Sequence, residues 1–280
     1  MKKTILLALI GLTLVLILFL GFSNVTPKKP EIHTNSAEPL FDISIFIDSA
    51  KKQLTSSQSL LVGTMENQIS RGDVHTQQVE VYTSLANFWK DSLKSFEPYA
   101  FYTSEAAKLE NSEKKLTFAA QIFLNNLRWE KDEAKLKWET AQAISLFEQA
   151  LKLDPANVDV KIGLGSSYIF GRGRTGKPEE TMKGIQQLLA VVREDSTNMK
   201  AQLMLGMGGY LSGQYDKAIE RLKKVIMAQP QNVEAIAFLA DTYAAKGNKA
   251  EAIKWYNISK RLVNDPHYTQ EVDDRVKMLK

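Results

Sequence analysis

The feature that most constrains this chain is a recurrence of residue types 34 positions apart in its second half. From Met199 to Asn232 one unit runs without a gap. Leu205-Gly206 marks a close helix contact, Gly213 a turn, Ala218, Leu222 and Val225 one face of a second helix, and Pro230 its stop. Adding the period gives Leu239-Ala240, Gly247, Ala252, Tyr256 and Ser259, mostly the same physical types. Upstream, Tyr82, Leu85, Ala86 and Trp89 each precede Leu116, Ala119, Ala120 and Phe123 by the same interval. Such a period denotes stacked helix-turn-helix units, none able to bury its apolar face alone. Small residues at Gly206, Ala218, Ala240 and Ala252 let paired helices approach closely. The reading is an all-α solenoid of about five units, at residues 79–112, 113–157, 158–198, 199–232 and 233–266, two of them longer than the period.

Within these units Ala143, Phe147, Ala150 and Pro155, then Leu164, Gly165 and Tyr168, fall on the pattern of tetratricopeptide repeats. The chain resembles that family over roughly residues 79–266. It departs from the pattern where Lys161 and Gln202 replace the opening large residue, Gly209 the first-helix aromatic, and Ser196 and Asn264 the closing proline, with Pro266 two residues late. Gly208-Gly209 makes the first helix of the fourth unit the least specified in its packing.

The extra length lies between first and second helices. In unit 113–157 the segment RWEKDEAKLKW is charged and helix-favouring, which predicts that both helices extend beyond the solenoid body. In unit 158–198 it is GRGRTGKPEE, a glycine-rich basic loop in which Pro178, Glu179 and Glu180 suit a first helical turn. A helix at 267–280 is expected to cover the last unit, and a helix pair within 40–78 the first. In that pair Phe41, Ile45, Ile47, Ala50 and Leu54 keep mostly helical spacing, Thr55 and Gln58 suit a capping box, and Leu61, Met65 and Ile69 continue the apolar stripe. Residues 23–39 carry three prolines without apolar periodicity and read as a linker.

The N-terminus carries a second signal. Ile5 to Phe22 is an uncharged run of 18 residues whose one polar residue is Thr13. At about 1.5 Å per residue it approaches the ~30 Å of a bilayer core, so residues 1–22 read as a transmembrane signal-anchor. A cleaved signal peptide is the rival, since Gly21 and Ser23 make a small-x-small site. Lys2 and Lys3 with the terminal amine outweigh Lys28 and Lys29, which places the repeats outside the cytoplasm.

Charge and composition narrow the function. The formal excess of +4 is accounted for by those four lysines, leaving 32 basic residues against 32 acidic ones from Glu31 onward. A balanced body lacks the basic footprint of nucleic-acid binding. Without cysteine there are no disulfides or thiolate metal sites, and His33, His75 and His267 lack metal-ligand spacing. Gly171, Gly173, Gly176 and Lys177 imitate nucleotide-binding glycine motifs, but those need a preceding strand, and Pro178 stands where a Mg²⁺-binding hydroxyl belongs. Neither catalytic nor cofactor-binding residues are assigned. Arg172, Arg174 and Lys177 remain candidates for contact with an anionic group of a partner.

The resemblance implies that first helices line a concave groove. It places Thr83, Asn87 and Lys90, then Thr117, Gln121 and Leu124, then Ile162, Ser166 and Ile169, then Leu203, Met207 and Tyr210, then Ala237, Asp241 and Ala244 along it. The groove residues expected to hold a protein or peptide segment are Asn87, Gln121, Ile162, Ser166, Ile169, Leu203, Met207, Tyr210 and Asp241. Ile162 and Leu203 equally suit packing against neighbouring helices. The implied function is a scaffold or adaptor rather than an enzyme, held in a bacterial inner membrane by residues 5–22, its repeats in the periplasm, assembling envelope complexes. An organelle-surface receptor with cytosol-facing repeats is the alternative in that class. A nucleotide-binding enzyme using Gly171–Lys177 is the alternative outside it.

Overall fold

The computed structural model describes residues 42–71, 75–175 and 178–280, so the transmembrane expectation for 5–22, the linker at 23–39 and residues Gly176 and Lys177 lie outside the described part. Among the described residues no helix is long and apolar enough to cross a membrane. Thirteen α-helices are described: α1 (Ile43–Lys51), α2 (Ser56–Arg71), α3 (His75–Phe88), α4 (Phe96–Glu110), α5 (Glu113–Leu127), α6 (Glu133–Leu153), α7 (Val158–Phe170), α8 (Pro178–Glu194), α9 (Met199–Leu211), α10 (Tyr215–Ala228), α11 (Val233–Ala245), α12 (Lys249–Val263) and α13 (Pro266–Leu279). Five successive pairs, α3–α4 to α11–α12, pack internally, and each packs on the next. The first helices α5, α7, α9 and α11 also touch in a row.

Missing side chains set the closeness of each pair. A Cβ on Gly165 would lie 2.9 Å from Leu188 Cγ and 3.0 Å from the Gly184 carbonyl oxygen. One on Gly206 would lie 2.8 Å from Leu222 Cγ, and one on Gly209 3.2 Å from the Ala218 Cβ. The pair Gly208-Gly209 therefore gives close packing: Gly208 receives Ile169 of α7 and Gly209 receives Ala218 of α10. Into the remaining space go Phe123, Phe147, Leu188, Leu222 and Tyr256, each side chain worth about 1.5–3 kcal/mol where burial is complete.

Helix boundaries follow local chemistry. Asn157, Asn198 and Asn232 each stand just before a first helix and accept the backbone N–H three residues on, at 3.1, 3.0 and 2.9 Å. Gly213 and Gly247 turn the chain within their pairs at φ 74° and 83°, where a Cβ would be strained. Gln202, standing where the family pattern has a large apolar residue, is buried but satisfied. Its Nε2 donates to the Ser196 carbonyl at 3.1 Å, and its Oε1 accepts from Arg221 Nη1 at 2.7 Å.

Two expectations about the inserted and capping segments are corrected. Of the helices flanking the charged insertion, α6 alone is lengthened, to 21 residues, while α5 stops at Leu127. Glu130 Oε1 accepts the N–H groups of Lys131 and Asp132, and Asp132 caps α6 by accepting from Lys135 N, so a turn outcompetes a continued helix. In the N-terminal pair the Thr55–Gln58 capping box forms. Its helix, however, buries Val62 and leaves Leu60 and Leu61 in solvent; Ile45 of α1 is also exposed. These helices share a separate core with the first pair, built on Ile47, Val62, Leu85, Trp89 and Tyr102. Glu66 fastens it by accepting from Lys51 Nζ at 2.8 Å and Tyr102 Oη at 2.6 Å.

Glu139 on α6 is wholly buried. Its Oε1 accepts from Asn126 Nδ2 at 2.8 Å, while Oε2 has no hydrogen-bond partner. Burial pushes its carboxyl up to about 8, with Glu130 and Glu97 adding to the rise and the Asn126 bond and Lys135 opposing it. Between the ordinary value of 4.5 and about 8 the folded chain holds a proton that the unfolded chain releases, so this group's contribution falls as pH rises through that window. Glu139→Gln is expected to melt near wild type at pH 4 and above it at pH 8, in thermal melts across that range. Glycine positions give a second test, by chemical denaturation. A Cβ at Gly184 would strike the Gly165 carbonyl oxygen, whereas none at Gly63 meets anything within 4 Å. Gly184→Ala is expected to destabilise by about 1–3 kcal/mol, and Gly63→Ala to stabilise by roughly 0.5–1 kcal/mol.

Candidate partner-binding face

The row of first helices curves around one side chain. Arg128, the residue closing α5, sets its guanidinium 5.4 Å from the centre of the Phe170 ring on α7. Its Nη2 lies 4.0 Å from Met207 Sδ on α9 and donates to Glu234 Oε1 in the first turn of α11. In a flat row, three helix spacings of about 8–10 Å would part α5 from α11 by about 24–30 Å, well beyond the reach of an arginine. Burial holds the Arg128 guanidinium below its usual range, yet an arginine keeps its charge in proteins.

That winding decides the fate of the expected groove residues. Asn87 is exposed on α3, and Gln121 is half-buried on α5, donating from Nε2 to Asn125 Oδ1 at 2.7 Å. Ser166, Ile169 and Met207, expected to line an open groove, lie inside the stack instead, and Ile162 and Leu203, which suited either place, are buried as well; Met207 is 0% exposed. Close first-helix packing, as at Gly208 against Ile169, seals the space between α7 and α9, and Arg128 lies beside Met207. Tyr210 is half-buried, with ring centres 5.9 Å from Phe238 and 6.5 Å from Tyr215. Asp241 accepts from Tyr256 Oη and from Arg275 Nη1 at 2.8 Å, which ties α11 to α12 and α13.

The basic loop is likewise turned toward the chain itself. Arg172 pairs with Glu180 at 3.0 Å, and Arg174 donates to the carbonyls of Leu127 and Glu130. Both guanidinium groups are thereby engaged within the chain, Arg172 inside its own segment and Arg174 in joining the two inserted segments. Trp129, within the first of those segments, is 76% exposed. The loop follows helix α7 and begins with a 3₁₀ turn at Arg172–Thr175, in place of the strand that nucleotide-binding glycine motifs require. Among the described residues no three His, Cys, Asp or Glu side chains are grouped to hold a metal.

Where α3 meets the stack, the inner side opens. A cleft of about 130 Å³ lies among α3, α4 and α5, with Ala86, Ala106 and Ala107 among its lining residues and Asn87, Lys90, Tyr99, Lys115 and Phe118 around it. Lys90 Nζ sits 5.8 Å from the Tyr99 ring centre, and Phe118 is 56% exposed. A larger cleft of about 310 Å³ lies beside the basic loop, between Gly173, Met182, Ile185 and Leu211. Phe118 and the Arg128–Glu234 pair were not anticipated from sequence. No local pattern marks two residues 106 positions apart as partners.

Comparison with known proteins fits this geometry. A tetratricopeptide repeat profile matches residues 210–270. Tetratricopeptide repeat protein 6 of Homo sapiens is 25% identical over 124 residues, 44% of this chain and 23% of that protein. Cellulose synthase operon protein C of Escherichia coli (strain K12) is 37% identical over 62 residues, 22% of this chain and 5% of that protein. The chain thus spans less than a quarter of the length of either curated relative. The crystal structure of a thermophilic tetratricopeptide repeat protein from Thermus thermophilus superposes with a TM-score of 0.54 at 15% identity, covering 74% of this chain and 98% of that one. Residues 210–270 therefore match a tetratricopeptide repeat profile, within an all-α solenoid of tetratricopeptide-like fold.

Proposed function

We propose that this protein is a membrane-anchored scaffold of a bacterial envelope, holding a segment of a partner protein on its inner face during assembly of an envelope complex. The observation that carries the reading is the cleft among α3, α4 and α5, where the inner side of the solenoid is open and offers Asn87 and Lys90 beside an exposed Phe118. Polar groups around an apolar wall suit a peptide segment anchored by one apolar side chain. The uncharged run Ile5 to Phe22, with Lys2 and Lys3 before it, supports a single membrane pass with the solenoid on the periplasmic side. The charge-balanced body supports a protein partner over a nucleic acid.

Site-specific photocrosslinking in native membranes tests this directly. A photoreactive residue at Asn87 is expected to yield a discrete partner adduct, and one at Glu220, exposed on the second-helix side of α10, none. Lys90→Glu is expected to lower the Asn87 adduct yield by roughly threefold or more at low salt, with a smaller loss at high salt. Deleting residues 1–30 is expected to move the chain to the soluble fraction. Adducts from Glu220 alone would sink the inner-face reading, and a deletion product that stays in the membrane would sink the anchor.

A further inference from the structure

We propose that Arg128 is an internal occupant of the inner face, and that a partner segment enters by replacing Glu234 on its guanidinium with an acidic side chain flanked by an apolar one. The proposal rests on the inner face being the docking surface and specifies the chemistry of what docks there. Phe170 and Met207 lie beside the guanidinium, 4% and 0% exposed, an apolar floor that displacement of Arg128 would uncover. Met207 has the unbranched, polarizable side chain that re-packs readily against a new neighbour.

The existing pair is built to be exchanged. Glu234 meets the guanidinium through one oxygen and Nη2, whereas the planar fork can hold a carboxylate at two points. The Arg128 and Glu234 side chains are 24% and 37% exposed, so an incoming carboxylate reaches them from solvent. Both stand at helix ends that suit their charge: Arg128 closes α5 at its C-terminus and Glu234 lies in the first turn of α11. A cation at a helix C-terminus and an anion at an N-terminus stay favourably placed after the pair parts, which keeps the cost of opening low. While the pair is closed, apparent affinity is reduced by the fraction of molecules that are open, so anything that unpairs Glu234 strengthens binding.

The test uses the full-length chain and two fluorescein-labelled, C-terminally amidated peptides. One carries Glu-Leu pairs spaced by Gly-Ser, and the other has Gln in place of each Glu. In anisotropy titrations Glu234→Gln is expected to bind the Glu-Leu peptide roughly two- to fivefold more tightly than wild type, the scale of one competing ion pair, and the Gln-Leu peptide no better. Arg128→Gln is expected to lack that gain, alone or combined with Glu234→Gln. The chain has no cysteine, so spin labels on Asn125→Cys and Ala245→Cys report the α5–α11 distance, which is expected to lengthen in Glu234→Gln and when peptide is added to the unsubstituted pair. Circular dichroism of every variant separates these effects from unfolding. Equal gains for both peptides would mean that exposed apolar surface, not carboxylate exchange, drives binding, and would overturn the proposal. An unchanged label distance, or no binding of the Glu-Leu peptide to folded Glu234→Gln, would overturn it as well. Neither result would touch Asn87 crosslinks to a native partner, so the scaffold reading would stand or fall separately.

Discussion

The solenoid depends on backbone meeting side chain with nothing between them. At Gly165, Gly206 and Gly209 the helices of a pair approach until a single added carbon would press on Leu188, Leu222 or Ala218. Helix separation fixes how much volume remains for Phe147, Leu222 and Tyr256, and so sets the angle at which the next pair is laid down. Gly208, receiving Ile169, applies the same rule between pairs and brings α7 and α9 together. A curve accumulated from such contacts brings α11 within reach of a side chain on α5.

This hierarchy explains which features are legible in the sequence. Helix pairing is written in residues one period apart, because the same small and large side chains recur wherever the same close approach recurs. Gly213 and Gly247 are legible for the same reason. The inner face is not. Whether Met207 lines a groove or fills the core depends on how far the row of first helices winds, a sum over several pairs that none of them encodes alone. The local register of α9 would be the same in either case. The lengthening of α6 without α5 escaped for a different reason: most of residues 128–138 favour helix, and the outcome turns on Glu130 and Asp132 capturing backbone N–H groups. Leu61 and Val62 both stand at helical spacing from Met65 and Ile69, so the pattern alone does not decide which of them α2 buries, and packing selects Val62.

Polar groups inside the stack mark where the repeat pattern is broken and how the breaks are repaired. Gln202 departs from the family pattern and is repaired by the backbone carbonyl of residue 196 and by the Arg221 side chain. Glu139 is repaired only in part, by Asn126, and keeps one oxygen without a hydrogen-bond partner. Its partner Asn126 directly precedes Leu127, whose carbonyl Arg174 holds, so the incompletely satisfied carboxyl is bonded next to the junction of the two inserted segments.

The ion pair from α5 to α11 also alters how the molecule bears load. A repeat array linked only through neighbours behaves as a string of springs in series, each pair yielding independently under tension. Joining α5 to α11 puts one bond in parallel with all the springs between them. A pull along the array would extend the first pair and the N-terminal helices, which have a core of their own, before the block from α5 to α11 yielded. Because that bond opens at little cost, the stiffness it adds to four helix pairs holds only under small loads and is then lost in one step.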